Sequence, residues 1–209
     1  MNIRSNKKGD PMESKKEKRT RQNKDIRALI LDTALDLFSI RGYFSTSVHH
    51  IQKQAGVSIG SIYHHFKNKE AIAKALYDDL VGQMGQAMTE IMASEETTEK
   101  RLKAVCAHLF ELTETSPNVM QYILYARHRE FMPDEIPICS SRPFATIREM
   151  VREGIEKGEV RQMDLTVASA SLMGGAIRLI YLRLDGVLEK PVTFYLDEIW
   201  ECCWKSVSP

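Results

Sequence analysis

The sequence predicts an all-α fold of about nine helices joined by short connections. Apolar residues recur at intervals of three and four along most of the chain, and glycine, proline and N-capping residues separate these periodic segments. Alternating patterns typical of strands are scarce. With 209 residues, of which 43% are hydrophobic and 27% charged, the chain is long enough to bury a sizeable core in one or two domains.

The N-terminal part is predicted to be a tail followed by a helix. Residues 1–22 contain few apolar side chains and are expected to form a disordered basic arm. A helix should then run from its N-cap Asn23 to Arg41, with Gly42 as the stop signal. One face of this helix carries Ile26, Leu29, Ile30, Ala34, Leu37 and Phe38.

Two very short helices are expected next. Thr46 or Ser47 can cap the first, which should end near Ala55. Ser58 can cap the second, which should end near His65.

Two longer helices follow. Asn68 is predicted to cap the first of them, which should end near Ala93. Apolar residues at helical spacing within 102–112 mark the second, and Pro117 should break the chain after it.

The middle of the chain predicts a helix over 119–131 and another over 144–155 that Gly158 stops. A loop should separate them, because prolines interrupt the helical pattern there. These prolines are Pro133, Pro137 and Pro143.

The C-terminal part predicts two more helices. The first spans 165–184, is apolar on more than one side and should stop at Gly186. The second follows Pro191 and should run to about Val207.

The formal net charge of +1 conceals an uneven distribution. Residues 1–69 hold 14 Lys+Arg and 6 Asp+Glu, a net of +8, whereas residues 70–209 hold 15 and 22, a net of −7. Such a split favours a polyanion-binding part joined to a part with another role. The alternative is a basic tail without a partner, because residues 1–27 alone carry a net of +6.

Several classes of function lack sequence support. The catalytic and nucleotide signatures GxSxG, HExxH, the P-loop and the dinucleotide fingerprint do not occur, so we expect no enzyme activity and no cofactor. The four cysteines match no zinc spacing, and the adjacent histidines of each His-His pair point in different directions on a helix, so we expect no metal site. These cysteines are Cys106, Cys139, Cys202 and Cys203.

The chain also carries no secretory signal and no uninterrupted apolar run of about 18 residues. The resulting expectation is a cytoplasmic protein with reduced thiols and no membrane partner.

The segment 48–65 has the pattern of a helix-turn-helix. Ile51, Ala55, Val57 and Ile62 are spaced to form its small core, and Gly56 stands where the chain must turn sharply. In this motif the second helix enters the major groove of DNA while the first crosses the backbone.

Residues on the exposed face of this motif are candidates for contacts with double-stranded DNA. Hydroxyl groups suit bases and phosphates, Ile59 offers only apolar contact, and helix N-termini bind phosphate. The predicted DNA-binding residues are Thr46, Ser47, His49, Ser58, Ile59, Gly60, Ser61, Tyr63, His64 and Lys69.

The motif lies within a longer stretch, ILDTALDLFSIRGYFSTSVHHIQKQAGVSIGSIYHHFKNKEAIAKALYDDL, that resembles the N-terminal domain of the TetR family of bacterial transcriptional regulators. A weaker match, EGIEKGEVRQMD followed by a helix rich in small residues, is similar to the family's C-terminal domain. The stretches that carry the first match include Gly42-Tyr43, Ala55-Gly56-Val57-Ser58, Gly60-Ser61-Ile62-Tyr63, His65-Phe66 and Lys69-Glu70.

The resemblance implies an Ω-shaped all-α homodimer that represses transcription from a near-palindromic operator until a small-molecule effector binds its C-terminal domain. It implies a helix-turn-helix domain over 23–70 and a ligand-binding and dimerisation domain over 71–209. By position, Thr46 and Tyr63 resemble phosphate contacts, Lys69 completes the backbone contacts, and His64 resembles a contact to phosphate or base. Ser47, His49, Ile59 and Ser61 are the positions expected to reach base edges.

Two positions depart from the family pattern. Gln52 replaces a small alanine, which predicts looser or shifted packing between the two short helices. Ile59 replaces a position that is often basic or polar, so relatives do not predict the operator sequence.

The same resemblance favours a dimer interface built from the last two long helices of each copy, although the apolar residues there could equally form the core of a monomer. The interface candidates are Ala168, Ser171, Leu172, Gly175, Leu179, Tyr195, Ile199 and Cys203.

A ligand pocket is expected among the middle helices, where methionine suits an adaptable apolar cavity. For any one residue there, ordinary core packing is the alternative. The ligand-binding candidates are Phe110, Ile123, Met150, Met173, Ile177 and Tyr181.

Two questions stay open at the level of sequence. The arm over 1–22 either adds salt-dependent attraction to DNA or only keeps the protein soluble. The regulator either responds to a small molecule or is controlled by a protein partner or by its abundance.

Overall fold

The structure is a computed structural model that describes residues 15–126, 128–134 and 140–209, with side chains from Asn23 onward. This part of the chain contains ten α-helices and one short 3-10 turn, Val192–Tyr195, which confirms the predicted all-α class. The α-helices are α1 Lys15–Arg41, α2 Val48–Ala55, α3 Ile59–His65, α4 Lys69–Ser94, α5 Thr98–Thr115, α6 Pro117–Tyr125, α7 His128–Phe131, α8 Arg142–Glu156, α9 Leu165–Leu184 and α10 Leu196–Lys205.

Helix α1 begins eight residues earlier than expected, so the prediction of disorder is wrong for residues 15–22. Asn23 lies inside the helix and does not cap it. Lys, Arg, Glu and Gln dominate residues 15–22, and these residues have high helix propensity even though they supply no apolar face. The rest of the predicted arm, residues 1–14, lies outside the described part.

The N-terminal helices pack around one side of α1, which contacts α2, α3 and α4. Ile30, Ala34 and Phe38 of α1 are buried together with Ile51 of α2 and Ile62 of α3. The helix ends where predicted, because Gly42 has a φ of 82° that disfavours other residues.

Helix α5 is central to the C-terminal part, where it packs against α4, α6, α8, α9 and α10. Two connections join this part to the N-terminal helices. Helix α4 packs against both α1 and α8, and α6 packs against α1. A change among the C-terminal helices can therefore reach α1 through α4 or α6.

The single helix predicted over 119–131 is wrong. The chain forms α6 and α7 with a break at Ala126, whose ψ of 124° is extended. The ring of His128 is buried, and its Nε2 atom lies 3.0 Å from the carbonyl oxygen of Tyr122. The ring also contacts the rings of Tyr77 and Phe131. These contacts between different elements override the local helical pattern, which contains no glycine or proline at the break.

The remaining differences between the predicted and the observed helices lie at helix ends. Pro143 lies in the first turn of α8, where a missing N–H costs nothing, and not in the preceding loop. Pro137 lies outside the described residues. The last predicted helix is a 3-10 turn followed by α10, while α9 has the predicted bounds.

Helix α9 is long and apolar enough to cross a membrane by length and composition, which the sequence alone did not suggest. Such a helix is weak support for a membrane span, because core helices of soluble proteins meet the same criterion. Only 22% of its apolar window is buried within this chain. Much of its apolar surface is therefore available to another molecule.

Candidate nucleic-acid interface

Ser47 caps α2, and it is one of the two cap residues that the sequence predicted. Its hydroxyl oxygen accepts a hydrogen bond from the backbone N–H of His50 at 3.2 Å, and its own N–H donates to Nδ1 of His50 at 3.2 Å. This reciprocal arrangement fixes the start of α2 and leaves His49 and His50 exposed.

The turn between α2 and α3 has the predicted glycine, with a φ of 66° at Gly56. The side-chain amide of Gln52 donates to the carbonyl oxygen of Val57 at 2.9 Å. Ile51 and Ile62 are fully buried beside it. Gln52 therefore ties α2 to the turn by a contact that an alanine cannot make, and the looser or shifted packing expected at this position stays a prediction.

Helix α3 presents a polar face to solvent. Ser58 caps the helix by accepting from the N–H of Ser61 at 3.0 Å. The ring of Tyr63 is 54% exposed, and Gly60 and His64 are exposed as well. Ile59 and Ser61 are half-buried, so they offer less surface to a partner.

Thr46 does not belong to this exposed face, so its predicted contact with phosphate stays a prediction for which its buried side chain offers no surface. The residue is 1% exposed, and its hydroxyl donates to the carbonyl oxygen of Gly42 at 3.0 Å. Thr46 lies in the segment that precedes α2. Because the Thr46 hydroxyl is buried with a hydrogen-bond partner inside the protein, it holds this segment against the end of α1.

Lys69 also holds this loop. Its ammonium group donates to the carbonyl oxygens of Tyr43 at 3.0 Å and Thr46 at 2.9 Å. Partial burial lowers the pKa of Lys69. Lys69 thus shapes the loop that leads into α2, and its predicted role at the DNA backbone stays a prediction.

Tyr43 is the residue that sequence reasoning did not single out. Its ring lies between the Lys69 ammonium, 4.0 Å from the ring centroid, and the ring of Phe131, 3.9 Å away and tilted by only 13°. Its hydroxyl donates to Oε1 of Glu70 at 3.0 Å. Burial and the Glu70 carboxylate raise the pKa of Tyr43, so the phenol stays neutral. The only sequence signal was its position next to Gly42 in the family motif.

His65 packs at the end of α3. The residue is half-buried, and its Nε2 atom is buried without a hydrogen-bond partner. Burial lowers its pKa, with smaller contributions from His64 and Arg27.

The six ligand candidates do not converge on one cavity. Phe110, Ile123 and Met150 are buried in the core, whereas Met173, Ile177 and Tyr181 are half-buried. Ile123 alone among them lines a cleft of about 290 Å³ between α4, α5 and α6. The other residues of this cleft are Leu80, Gln83, Met84, Ala87, His108, Leu112, Ser116 and Val119.

Most of the dimer candidates face the interior of their own chain. Ala168, Leu172 and Cys203 are buried, and a Cβ atom at Gly175 would lie 2.8 Å from Cδ1 of Ile199. Helices α9 and α10 therefore use this small-residue face to pack against each other. Ser171, Leu179 and Tyr195 are half-buried.

The outward face of α9 lies on the opposite side of the helix. Val167, Ala170, Gly174 and Arg178 are exposed and follow one another at helical spacing. We call these four residues the outer α9 face. Three of these four residues are uncharged and only Arg178 carries a charge, so periodicity did not separate this outer face from the inner one.

Within the described ranges, no three His, Cys, Asp or Glu side chains come close enough to hold a metal ion. The helix-turn-helix therefore offers an exposed polar face on α2 and α3, which is the arrangement that this motif presents to a DNA groove.

Comparison with protein families matches residues 30–76 to the family of bacterial regulatory proteins described as tetR. The fatty acid metabolism regulator protein of Bacillus subtilis (strain 168) is 30% identical over 149 residues, which cover 69% of this chain and 76% of that protein. The HTH-type transcriptional repressor KstR2 of Rhodococcus jostii (strain RHA1) is 36% identical over 179 residues, covering 83% and 76%.

Solved structures show the same fold. The transcriptional regulator FadR from Bacillus subtilis in complex with stearoyl-CoA aligns with a TM-score of 0.73 at 24% identity, over 84% of this chain and 96% of that one. The SmeT–triclosan complex aligns with a TM-score of 0.72 at 20% identity, over 88% and 92%.

Proposed function

The chain belongs to the TetR family of bacterial transcriptional regulators, and we propose that it is a homodimeric repressor that releases its operator when a small molecule binds. The observation that carries the proposal is the exposed polar face of α3, held by the Ser58 cap and the buried Ile62. Its relatives are named as transcriptional regulators and not as enzymes. We expect the protein to act in the cytoplasm, where its operator lies.

We propose that Tyr63, His64, Ser58 and Gly60 form the contact surface of α3, with Ser47 and His49 at the start of α2. The Tyr63 hydroxyl suits a phosphate oxygen, and His64 can donate to a phosphate or a base. Ile59 and Ser61 contact the bases only through their exposed atoms, because both are half-buried.

The outer α9 face supports a dimer. An apolar helix with little burial inside its own chain needs a cover in water. Ala170 and Gly174 leave room for the backbone of a second helix to approach closely. A second copy of the chain provides a self-complementary surface around a two-fold axis, which also places two α3 helices on one duplex.

The cleft between α4, α5 and α6 is the effector site that we propose. Its walls are mainly apolar, with Gln83, His108 and Ser116 as polar groups for orientation. Acyl-CoA thioesters are the first class to test, because the relative from Bacillus subtilis is named for fatty acid metabolism and the FadR complex contains stearoyl-CoA.

Helix α4 connects the proposed effector site to the DNA-binding helices. It lines the cleft through Leu80 and Met84, and its first residue Lys69 holds the loop before α2. We propose that the effector favours an orientation of α4 in which the two α3 helices no longer match consecutive grooves. Such a population shift typically corresponds to about 1–3 kcal/mol of coupling.

The direct test is binding to DNA upstream of the protein's own gene, measured by fluorescence anisotropy over a salt series. Wild type should prefer this DNA to a scrambled duplex, and Tyr63→Ala should weaken binding. The matched control is Phe194→Ala, which removes another exposed aromatic ring far along the chain. Equal binding of both duplexes would contradict the proposal for that site.

Acyl-CoA thioesters of increasing chain length are then titrated into the protein–DNA complex. Release of the DNA with an optimum at one chain length supports the effector site. Leu112→Trp fills the cleft, so this variant should stay bound to DNA at every thioester concentration. A regulator controlled by a protein partner or by abundance would keep its operator with every thioester.

A further inference from the structure

A groove with basic walls lies between the end of α1 and the outer side of α2. Its volume is about 500 Å³. Leu37 and Arg41 of α1 line it on one side, and His50, Lys53 and Gln54 of α2 line it on the other. Leu37 is buried, whereas the four polar side chains are exposed. We call it the basic groove.

The two permanent cations of the basic groove have no neighbouring acid to neutralise them. Arg41 and Lys53 form no ion pair within the part of the chain that the structure describes. The sequence holds four Lys or Arg and no Asp or Glu over residues 37–69. Of the acids that border this stretch, Asp36 accepts a hydrogen bond from α6 and Glu70 accepts one from the loop after α1. The groove therefore presents a positive field to an anion in solution.

The basic groove is continuous with the start of α2, where Ser47 and His49 are proposed DNA contacts. His50 lines the groove, and its Nδ1 atom accepts a hydrogen bond from the backbone N–H of Ser47 at 3.2 Å. In a helix-turn-helix the first helix crosses the DNA backbone while the second enters the major groove. Helix α2 is this first helix, so its exposed side is the side that meets phosphates.

We propose that the basic groove binds phosphates of the DNA backbone through Arg41 and Lys53, beside the bases that α3 reads. The guanidinium group can offer two parallel N–H donors to one phosphate, and the ammonium group adds a second positive charge. The amide of Gln54 is a further donor. Neither cation is among the DNA-binding residues predicted from the sequence. The proposal rests on the proposed function, because it assigns a second contact with the same DNA.

The salt dependence of DNA binding measures contacts of this kind. Fluorescence anisotropy of the full chain gives the association constant for the duplex upstream of its own gene and for a scrambled duplex, between about 50 and 200 mM salt. In the double variant Arg41→Gln/Lys53→Gln, the slope of log K against log salt should fall in magnitude by about 1.8, because each phosphate contact contributes about 0.9. Each single variant should give about half of this change.

A matched double variant, Arg161→Gln/Lys100→Gln, controls for net charge. It also removes one arginine and one lysine, both exposed and both outside the basic groove. Its salt slope should equal that of wild type. An equal fall in the two double variants would show only the long-range effect of net charge, and a wild-type slope in the groove variant would show no contact. Either result overturns the proposal.

Sequence preference is the second readout. Phosphate contacts carry no direct information about sequence, so the groove variant should lose a similar factor of affinity on both duplexes and keep the wild-type ratio between them. A ratio that falls toward one would mean that these side chains read bases. That result contradicts the assignment to phosphate.

A site for a small free anion would behave differently. Inorganic phosphate is titrated into wild type and into the groove variant by isothermal titration calorimetry at constant ionic strength. We expect no saturable binding to either protein, because the groove is open and uses an extended backbone. Saturable binding to wild type alone, together with an unchanged DNA salt slope in the variant, would assign the groove to a free anion and overturn the proposal.

The two proposals fail in different ways. If wild type binds both duplexes equally, the sequence-specific repressor fails for that site, while the salt slope on the scrambled duplex still measures the contacts of the basic groove. If wild type prefers the upstream duplex and the groove variant keeps the full slope, the basic groove fails alone.

Discussion

Lys69 illustrates how a single residue can hold the reading helices in place. Its ammonium group satisfies two backbone carbonyls in the loop before α2 and lies on the ring of Tyr43. Lys69→Met keeps the length of the side chain but leaves both carbonyls without this donor. We expect a loss of about 1.5–3 kcal/mol in the free energy of unfolding and weaker operator binding.

Urea unfolding of the free protein checks this prediction, with Lys67→Met as the control. Lys67 is exposed in the neighbouring turn, so its replacement should change stability by less than about 0.5 kcal/mol. Equal losses in the two variants would show that the Lys69 contacts do not stabilise the loop.

His128 gives the protein a predictable dependence on pH. Burial lowers the pKa of its imidazole, which packs among aromatic rings beside the break between α6 and α7. The unfolded chain therefore takes up a proton, near its ordinary pKa of about 6.5, before the folded protein does, so stability should fall as the pH drops through that value. Burial lowers the pKa of His65 as well, so it should contribute in the same direction.

Urea unfolding at pH 7.5 and pH 5.5 measures this difference. His128→Gln can still donate to the Tyr122 carbonyl but has no proton to gain, so it should lose less stability between the two pH values than wild type. The same loss in both proteins would mean that His128 does not cause the dependence.

At the scale of secondary-structure elements, α5 and α8 approach closely at Gly154. A Cβ atom there would lie 2.6 Å from Cγ2 and 3.1 Å from Cβ of Thr98, which is buried and β-branched. Because Thr98 cannot move aside easily, Gly154→Ala should destabilise the protein by about 1–3 kcal/mol.

Gly82 of α4 is the matched control site, because a Cβ atom there would have no neighbouring atom within 4 Å. Gly82→Ala should instead stabilise the protein by about 0.5–1 kcal/mol. Thermal unfolding of both variants compares the two helix environments, and a Gly154→Ala protein as stable as wild type would contradict the close packing.

Helix ends were predictable wherever the signal was local. Ser47, Ser58 and Asn68 cap α2, α3 and α4 through contacts within three residues, and such contacts are readable in sequence. The break between α6 and α7 was not predictable, since it depends on Tyr77 and Phe131 meeting His128 in space. The charge-rich start of α1 was not predictable, because a helix without an apolar face has the same composition as a disordered segment.

The candidate site was predictable to a similar extent. The exposed positions Tyr63 and His64 follow from the helix-turn-helix pattern, whereas the internal partners of Thr46 and Lys69 depend on how the loop folds back on α1 and Tyr43. The inner face of α9 and most of its outer face are uncharged, so the packing of α10 on Gly175 is what distinguishes them.

At the scale of the whole molecule, the outer α9 face should form the contact between two copies. Ala170→Glu places a charge in its centre, so the protein should become a monomer and lose tight operator binding. Size-exclusion chromatography with light scattering measures the mass. Ala145→Glu, at an exposed position on α8, is the control that should remain dimeric, and a dimeric Ala170→Glu protein would place the interface elsewhere.

The uneven charge of the chain fits this organisation. The positive net charge lies in residues 1–69, which contain the DNA-reading helices, and the negative net charge lies in residues 70–209. We propose that the acidic part helps to keep the C-terminal helices away from DNA phosphates, so that the basic part leads the approach to the duplex.

Selection from a pool of random DNA duplexes measures whether a two-fold dimer reads its operator through α3. We expect enrichment of two inverted half-sites whose centres lie about 34 Å apart or a modest multiple of that distance, because one two-fold dimer would place two α3 helices in the major groove. Tyr63→Ala should enrich the same sequence more weakly. A pool that stays random after repeated rounds, or one that converges on sites without two-fold symmetry, would show that the protein is not a dimeric reader of a palindromic operator.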